Sequence, residues 1–461
     1  MKGSTFLRCV ALALVLPTAA SAQLLPPVPQ LPQLPNRVGE AVGGIRGALP
    51  LDAASADAWQ LVRQSVERAH DLARRFPDRI ELDRDDNPVR AGEVTLADPD
   101  PAVLELVQRA GFSVIESERY EDLGIGFARL RAPAGLSAVE ATRRLGRIVG
   151  GDRVTLDPLY SASGAPVATL DKTLSMARTV SYSTLTPAEA GGQLGGGGNL
   201  SESLPSCTPA FAGVRLGGGV GLAPGAAPRR IGIIDGGVAA GTPGLAAQQG
   251  FASGAPRASD HGMAIASLLT GGGIRASAPG AALHVADVYG SDPAGGSASA
   301  LARALAWMVQ GKVPVVVMSL AGPDNALLGR FVAAARARGT MVVAAVGNEG
   351  PAAPPAYPAS YPQAIAVTGV DARGRVLVEA GRARHLDYAA PGADMLALNA
   401  AGQARSVRGT SFAAALVAAR LSAAWSGDAA AALKVLDREA KGAGARTGRG
   451  VLCGACRTAA R

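Results

Sequence analysis

Val313-Pro314-Val315-Val316-Val317-Met318 carries no charge and does not alternate between apolar and polar side chains. A strand with one wet face alternates; an unbroken apolar run predicts a strand covered on both faces, as in a parallel sheet. Four more runs of this kind flank it: Ile231-Gly232-Ile233-Ile234, Ala282-Leu283-His284-Val285-Ala286, Met341-Val342-Val343-Ala344-Ala345 and Ala364-Ile365-Ala366-Val367. Between them, Leu301, Leu305, Met308 and Val309 recur at helical spacing, as do Leu327, Leu328, Phe331 and Val332. Strands alternating with helices predict a doubly wound α/β domain with a mostly parallel sheet, and such a sheet carries its site at the carboxyl ends of its strands. Beyond the last strand, Val407-Arg408-Gly409-Thr410-Ser411-Phe412-Ala413-Ala414-Ala415 opens a small-residue run to Trp425, with no Gly or Pro before Gly427. It reads as a buried helix. Ser411 falls in its first turn, where unpaired N–H groups favour a developing negative charge; a hydroxyl there also suits an N-cap.

The chain has 461 residues, 48% hydrophobic and 18% charged, enough for more than one globular domain. Its net charge of +8 comes from scattered arginines, with no basic block or aromatic-interleaved stripe, which argues against nucleic acid as a partner. Lys2 and Arg8, the apolar stretch Cys9 to Leu16, and Ala20-Ser21-Ala22 before Gln23 read as a signal peptide over 1–22. The expected product is secreted or periplasmic, with no membrane span. Cys207, Cys453 and Cys456 then remain, enough for one intramolecular disulfide whose pairing stays open.

Residues 23–91 read as a Pro/Gly-rich linker with an amphipathic helix from Ser55 to Phe76, marked by Trp59, Val62, Val66, Ala69 and Ala73. Residues 92–163 follow the order βαββαβ, a small α+β ferredoxin-like pattern, with Ser137 and Glu140 as a capping box. Residues 164–210 are a Gly/Ser-rich linker. Its glycines, Gly191 to Gly198, have no leading strand and no closing Lys-Ser or Lys-Thr, so they are no phosphate loop. The α/β domain takes 211–445, and 446–461 forms a Cys-containing tail.

Four residues stand where the strand-end rule puts chemistry: Asp235 after Ile231–Ile234, His261 in Asp260-His261-Gly262-Met263-Ala264, Asn348 in Gly347-Asn348-Glu349-Gly350, and Ser411. Acyl transfer needs this assortment. A serine hydroxyl attacks only when an imidazole takes its proton, a carboxylate orients the imidazole, and fixed donors meet the oxyanion. Singly, each residue also suits a cap or turn; together they point to a serine peptidase. His284, in a buried strand, and His385, beside Arg384, have packing or surface roles by default.

Ile-Ile-Asp-Gly-Gly, His-Gly-Met-Ala-Ile-Ala, Ser-Leu-Ala-Gly-Pro, Gly-Asn-Glu-Gly and Gly-Thr-Ser-Phe-Ala-Ala occur in the order found in subtilisin-like serine proteases. The chain resembles that family from about Gly213 to Ala440, and the order Asp, His, Ser is the subtilisin order. The resemblance implies a serine endopeptidase with Asp235, His261 and Ser411 as catalytic residues and Asn348 as oxyanion donor, and the signal segment makes it an exported one. It implies that Ser319, Leu320 and Ala321 pair with substrate backbone, with Gly295 and Gly296 near the opposite edge. It also implies that 92–163 is a propeptide acting as folding aid and intramolecular inhibitor, removed by self-processing in the linker beyond it. Protein or peptide substrates are the expected partners, and no cofactor is expected.

The chain departs from the family at Met263 and Ala264 (usually Thr-His), Ala415 (usually Pro) and Ala321 (usually Gly). Ala321's methyl is expected to narrow the first pocket, and Glu349 stands near its rim, where a solvated carboxylate is the plainer reading. Thr270 to Ser277 is too short for the calcium-binding insertion of many relatives, so no metal is expected there. The alternative reading is a catalytically silent subtilisin fold used as a binding or structural module.

Overall fold

The computed structural model describes residues 53–162 and 229–456. The signal segment, the glycine-rich linker and Cys207 lie outside the described residues.

The first part runs α1 (Ala53–Arg75), β1 (Ile80–Leu82), β2 (Pro88–Ala97), α2 (Pro101–Arg109), β3 (Ser113–Tyr120), β4 (Ile125–Arg131), α3 (Ala138–Val149), β5 (Val154–Pro158) and β6 (Ser161–Ala162). The strands β5, β2, β4 and β3 are neighbours in that order and all antiparallel, with α2 and α3 as the crossovers. This is the expected βαββαβ arrangement. Asp100 caps α2 by accepting from Val103 N with Pro101 next in line, and the Ser137–Glu140 capping box forms at α3. Val94, Leu96, Phe112, Leu130, Leu145 and Val154 fill its core.

The sheet starts earlier than residue 92. β1 pairs with Pro88–Arg90 at the head of β2, across a turn in which Asp83 Oδ1 accepts from Asp85 N and Asn87 N. The boundary was hidden because Asp, Asn and Pro dominate the turn and Gly92 has φ 60°, which breaks the apparent strand in sequence.

The second part contains β7 (Arg230–Asp235), β8 (Leu245–Gly250), α4 (Asp260–Thr270), β9 (Ala282–Asp287), α5 (Ala298–Gln310), β10 (Val315–Met318), β11 (Leu320–Ala321) and α6 (Ala326–Ala337). It continues with β12 (Met341–Ala345), β13 (Ala364–Val370), β14 (Tyr388–Pro391), β15 (Met395–Leu398), β16 (Ala404–Val407), α7 (Thr410–Ala424) and α8 (Ala429–Glu439). The main sheet has the order β14-β13-β12-β10-β7-β9-β8, and every pair in it is parallel. The order reverses at β7, between β10 and β9, so this is a doubly wound α/β fold.

Successive residues of the central strands feed opposite cores. Ile231, Ile233, Val315 and Val317 pack with α4, α7 and α8; Ile234, Val316 and Met318 pack with α5 and α6. That is why the strands read as unbroken apolar runs. Two differences from the sequence reading have local causes. β10 begins at Val315 and not Val313, because Pro314 has no N–H for the ladder. β8, Leu-Ala-Ala-Gln-Gln-Gly, escaped notice because it is the sheet's edge, where polar residues are tolerated.

The two parts share one apolar interface. Phe127 and Tyr120 stand edge-on to Phe331 of α6, with ring centroids 6.1 and 5.5 Å apart. Near the end of the chain, Cys453 and Cys456 form a disulfide.

Candidate active site

β7 delivers Asp235 to the carboxyl edge of the sheet, where it is 1% exposed. Ser259 caps α4 by accepting from Gly262 N, so His261 sits in that helix's first turn. Gly262 permits the approach of helix to strand: a Cβ there would lie 2.2 Å from Gly236 O. The result is a close pair, with His261 Nδ1 2.9 Å from Asp235 Oδ1 and 2.8 Å from Oδ2. Oδ1 also accepts from Gly236 N at 2.7 Å. A carboxylate on Nδ1 selects the tautomer whose Nε2 is the basic nitrogen. That Nε2 is buried and has no hydrogen-bond partner.

Ser411 lies in the first turn of α7 and is fully buried. Its Oγ donates to Ser319 O at 3.1 Å, and Ser319 Oγ donates back to Ser411 O at 3.0 Å. Phe412 flanks the imidazole at a centroid separation of 5.6 Å. Asn348 follows Gly347, whose φ of 84° suits glycine. Asn348 Oδ1 accepts from Thr410 N at 3.1 Å, so its NH₂ is the end that donates. Thr410 Oγ1 in turn donates to Gly347 O at 3.0 Å, tying the Asn348 loop to the start of α7.

The strand ending the first part enters this cleft. β6 pairs antiparallel with β11, Ser161 opposite Ala321 and Ala162 opposite Leu320. On the other side Leu159 bridges Ser297, and Tyr160 N donates to Gly296 O at 2.8 Å. Residues 159–162 thus lie between the Ser319–Ala321 strand and the Gly295–Gly296 segment. Gly296, at φ 74°, would bring a Cβ within 2.5 Å of Tyr160 O. Behind the tail, the fully buried Asp157 accepts from Ser299 N at 2.8 Å and Ser299 Oγ at 2.6 Å, at the N-terminus of α5. Burial pushes its carboxyl above the usual range, against the opposing pull of Arg90, Ser299 and Arg129. Arg79 and Arg90 also hold Asp292, just before the two glycines.

Other sequence candidates fall as follows. Ala321 is nearly buried, and Glu349 turns back so that its Oε2 accepts from Asn348 N at 2.8 Å. His284 sits 6.2 Å from Trp307, and burial lowers its pKa, as expected of a packing residue. His385 contacts Asp387, whose hydrogen bond raises its pKa. Sequence reasoning missed Tyr289, and it gave no hint that Tyr160 would meet Pro323. Tyr289 Oη donates to Tyr160 O at 3.0 Å, and Tyr160 Oη to Pro323 O at 2.8 Å. Only tertiary contact brings these residues together. Among the described residues, no helix is long and apolar enough to cross a membrane, and no three His, Cys, Asp or Glu are grouped to hold a metal ion.

A sequence profile of the Subtilase family matches residues 230–437. Subtilisin DY of Bacillus licheniformis is 33% identical over 202 residues, 41% of this chain and 73% of that protein. Subtilisin BL of Lederbergia lenta is 34% identical over 134 residues, 29% of this chain and 49% of that protein. The solved protease domain of PatA is 23% identical at a TM-score of 0.45, over 49% of this chain and 92% of that one. The family profile over residues 230–437 and the match to Subtilisin DY establish that the chain belongs to the subtilase family of serine endopeptidases.

Proposed function

We propose that the chain is an exported zymogen that hydrolyses peptide bonds through an acyl-enzyme, with Asp235, His261 and Ser411 as its triad. Ser411 Oγ attacks the scissile carbonyl while His261 Nε2 takes its proton. Asp235 stabilises the imidazolium that forms. The oxyanion is met by the Asn348 NH₂ and the Ser411 N–H. Collapse expels the amine, which receives the proton from His261, and water then repeats the sequence on the acyl-enzyme.

The carrying observation is the Asp235–His261 pair, with Nε2 buried and unpartnered, in a cleft that already holds residues 159–162 as an added strand. The strand also supports reading 92–163, with β1 and the head of β2, as a propeptide that blocks the cleft until it is cut away. Export rests on the signal-like sequence over 1–22, outside the described residues. Ser319, Leu320, Ala321, Gly295 and Gly296 are the proposed binding edges.

The test uses purified full-length protein, wild type beside Ser411→Ala, with fluorophosphonate labelling and gel mobility followed over time. The wild type should label and shorten while the variant does neither. A folded wild type that neither labels nor shortens, even after addition of an external protease, would make the chain a silent scaffold.

A further inference from the structure

α1 (Ala53–Arg75) precedes the βαββαβ unit and lies outside that pattern, yet it reaches the peptidase part at two places. At one end Leu72, Ala73 and Phe76 pack in a cluster with Leu159 and Ala294, beside Gly295. Nearer the other end Ala58 and Leu61 sit against Gly350, two residues beyond Asn348. A Cβ on Gly350 would come 3.1 Å from Leu61 Cδ1 and 3.3 Å from Ala58 O, so the helix is as close as a glycine allows. Gly350 is itself a fixed platform, since its N–H donates to Glu379 O at 2.9 Å. Leu61 and Leu72 are eleven residues apart, which carries the helix about 16 Å from one rim of the cleft to the other. Its faces differ accordingly: Ala58 and Val62 are buried, whereas Arg63, Gln64, Glu67 and Arg68 are exposed. Near its C-terminal end, His70 Nε2 lies 3.0 Å from Asp86 Oδ1 and fastens the helix to the turn between β1 and β2.

We propose that α1 is a strap: it docks on the Gly350 face of the Asn348 loop and keeps the first part seated on the peptidase after the chain beyond residue 162 has been cut. The inference rests on the proposed function, since it presupposes that cut. The βαββαβ unit is attached on the far side, where Tyr120 and Phe127 meet Phe331 and Asp157 meets Ser299. A second attachment at Gly350, on the same rigid body, rejoins whenever the first lets go, so leaving requires both to open together. The cut breaks neither attachment. Cleavage and activation are therefore separate events, and the Leu61 contact sets the interval between them. Removing one leucine side chain from a packed contact shortens that interval on the order of tenfold.

The experiment uses purified full-length protein, wild type beside Leu61→Asp, Leu61→Ala and Gln64→Asp. The cut is followed on denaturing gels and activity by hydrolysis of an internally quenched peptide in the same sample. Wild type should gain activity well after it is cut. Leu61→Asp should be cut at the same rate and become active with a delay roughly tenfold shorter. Leu61→Ala, which keeps a good helix former, should shift the same way by a smaller factor, and Gln64→Asp, the same charge change on the exposed face, should match wild type. Activity that appears together with the cut in wild type, or equal delays in wild type and both Leu61 variants, overturns the strap while leaving the proposed function standing. A wild-type protein that neither takes up fluorophosphonate nor shortens overturns the proposed function and this inference with it.

Discussion

Asp235 holds His261 Nδ1 with both carboxylate oxygens, at 2.9 and 2.8 Å, while its Oδ1 also accepts from Gly236 N. The Gly236 bond pins the carboxylate, so the imidazole is oriented by a group that is itself fixed. Asp235→Asn should therefore fold normally but present an NH₂ toward Nδ1 and stabilise the wrong tautomer. The expected loss is about 10⁴-fold in kcat with little change in KM, read from steady-state peptide hydrolysis. A fall of less than tenfold would remove Asp235 from the proposed role.

Asn348 poses a sharper problem, because its amide has two jobs. Its oxygen accepts from Thr410 N and steadies the loop against α7, while its nitrogen is the proposed oxyanion donor. Asn348→Asp retains the acceptor and discards the donor; Asn348→Ala discards both. Both should lower kcat by roughly 10²–10³-fold. Equal losses assign the effect to the donor. If Asn348→Asp kept full activity, the oxyanion role would be wrong and the residue would be a loop brace.

The sheet and the strand-end residues were legible because both depend on short-range patterns. Strands buried on both faces read as apolar runs, and Asp235, His261, Asn348 and Ser411 each sit at a strand end or helix start that local sequence marks. The surroundings of Tyr160 were not legible. Tyr289, Gly322, Pro323 and Tyr361 come from separate segments and meet only when β6 is laid against β11. Gly262 shows a middle case: His-Gly is visible as a motif, but the need for glycine comes from the Gly236 carbonyl pressing on it. The start of the first sheet at Ile80 was obscured because its hairpin turn is built from Asp83 and Asn87, which read as loop.

The register of the tail specifies a bond. Ser161 is opposite Ala321 and Ala162 opposite Leu320, and Ser319, the residue before Leu320, is joined to Ser411 by two hydrogen bonds. Residues 163 and 164 lie outside the described residues. Self-processing should cut Ser163–Gly164 and leave Gly164 as the first new N-terminus. N-terminal sequencing at early times reads this directly. A first cut within 100–155 or after residue 200 would mean that residues 159–162 do not occupy the cleft as substrate does.

Asp157 gives the contact between the two parts a pH dependence whose sign can be worked out. Its carboxyl is buried against Ser299, and burial raises its pKa above the free value despite the pull of Arg90, Ser299 and Arg129. A carboxyl raised on docking favours the docked state most when it is protonated. Its contribution is full below the free carboxyl's pKa and is lost as pH rises through the docked value. The contact should weaken from about pH 4 toward neutrality, to the extent that Asp157 controls it. Asn in its place can accept from Ser299 N without ionising, so Asp157→Asn should flatten the profile. The measurement is the thermal midpoint of the unprocessed Ser411→Ala chain across this range, with and without Asp157→Asn. Parallel profiles for the two proteins would assign the pH dependence to other groups. A wild-type contact that tightened with pH, and lost that slope in the variant, would mean that the helix N-terminus and the two arginines outweigh burial at this carboxylate.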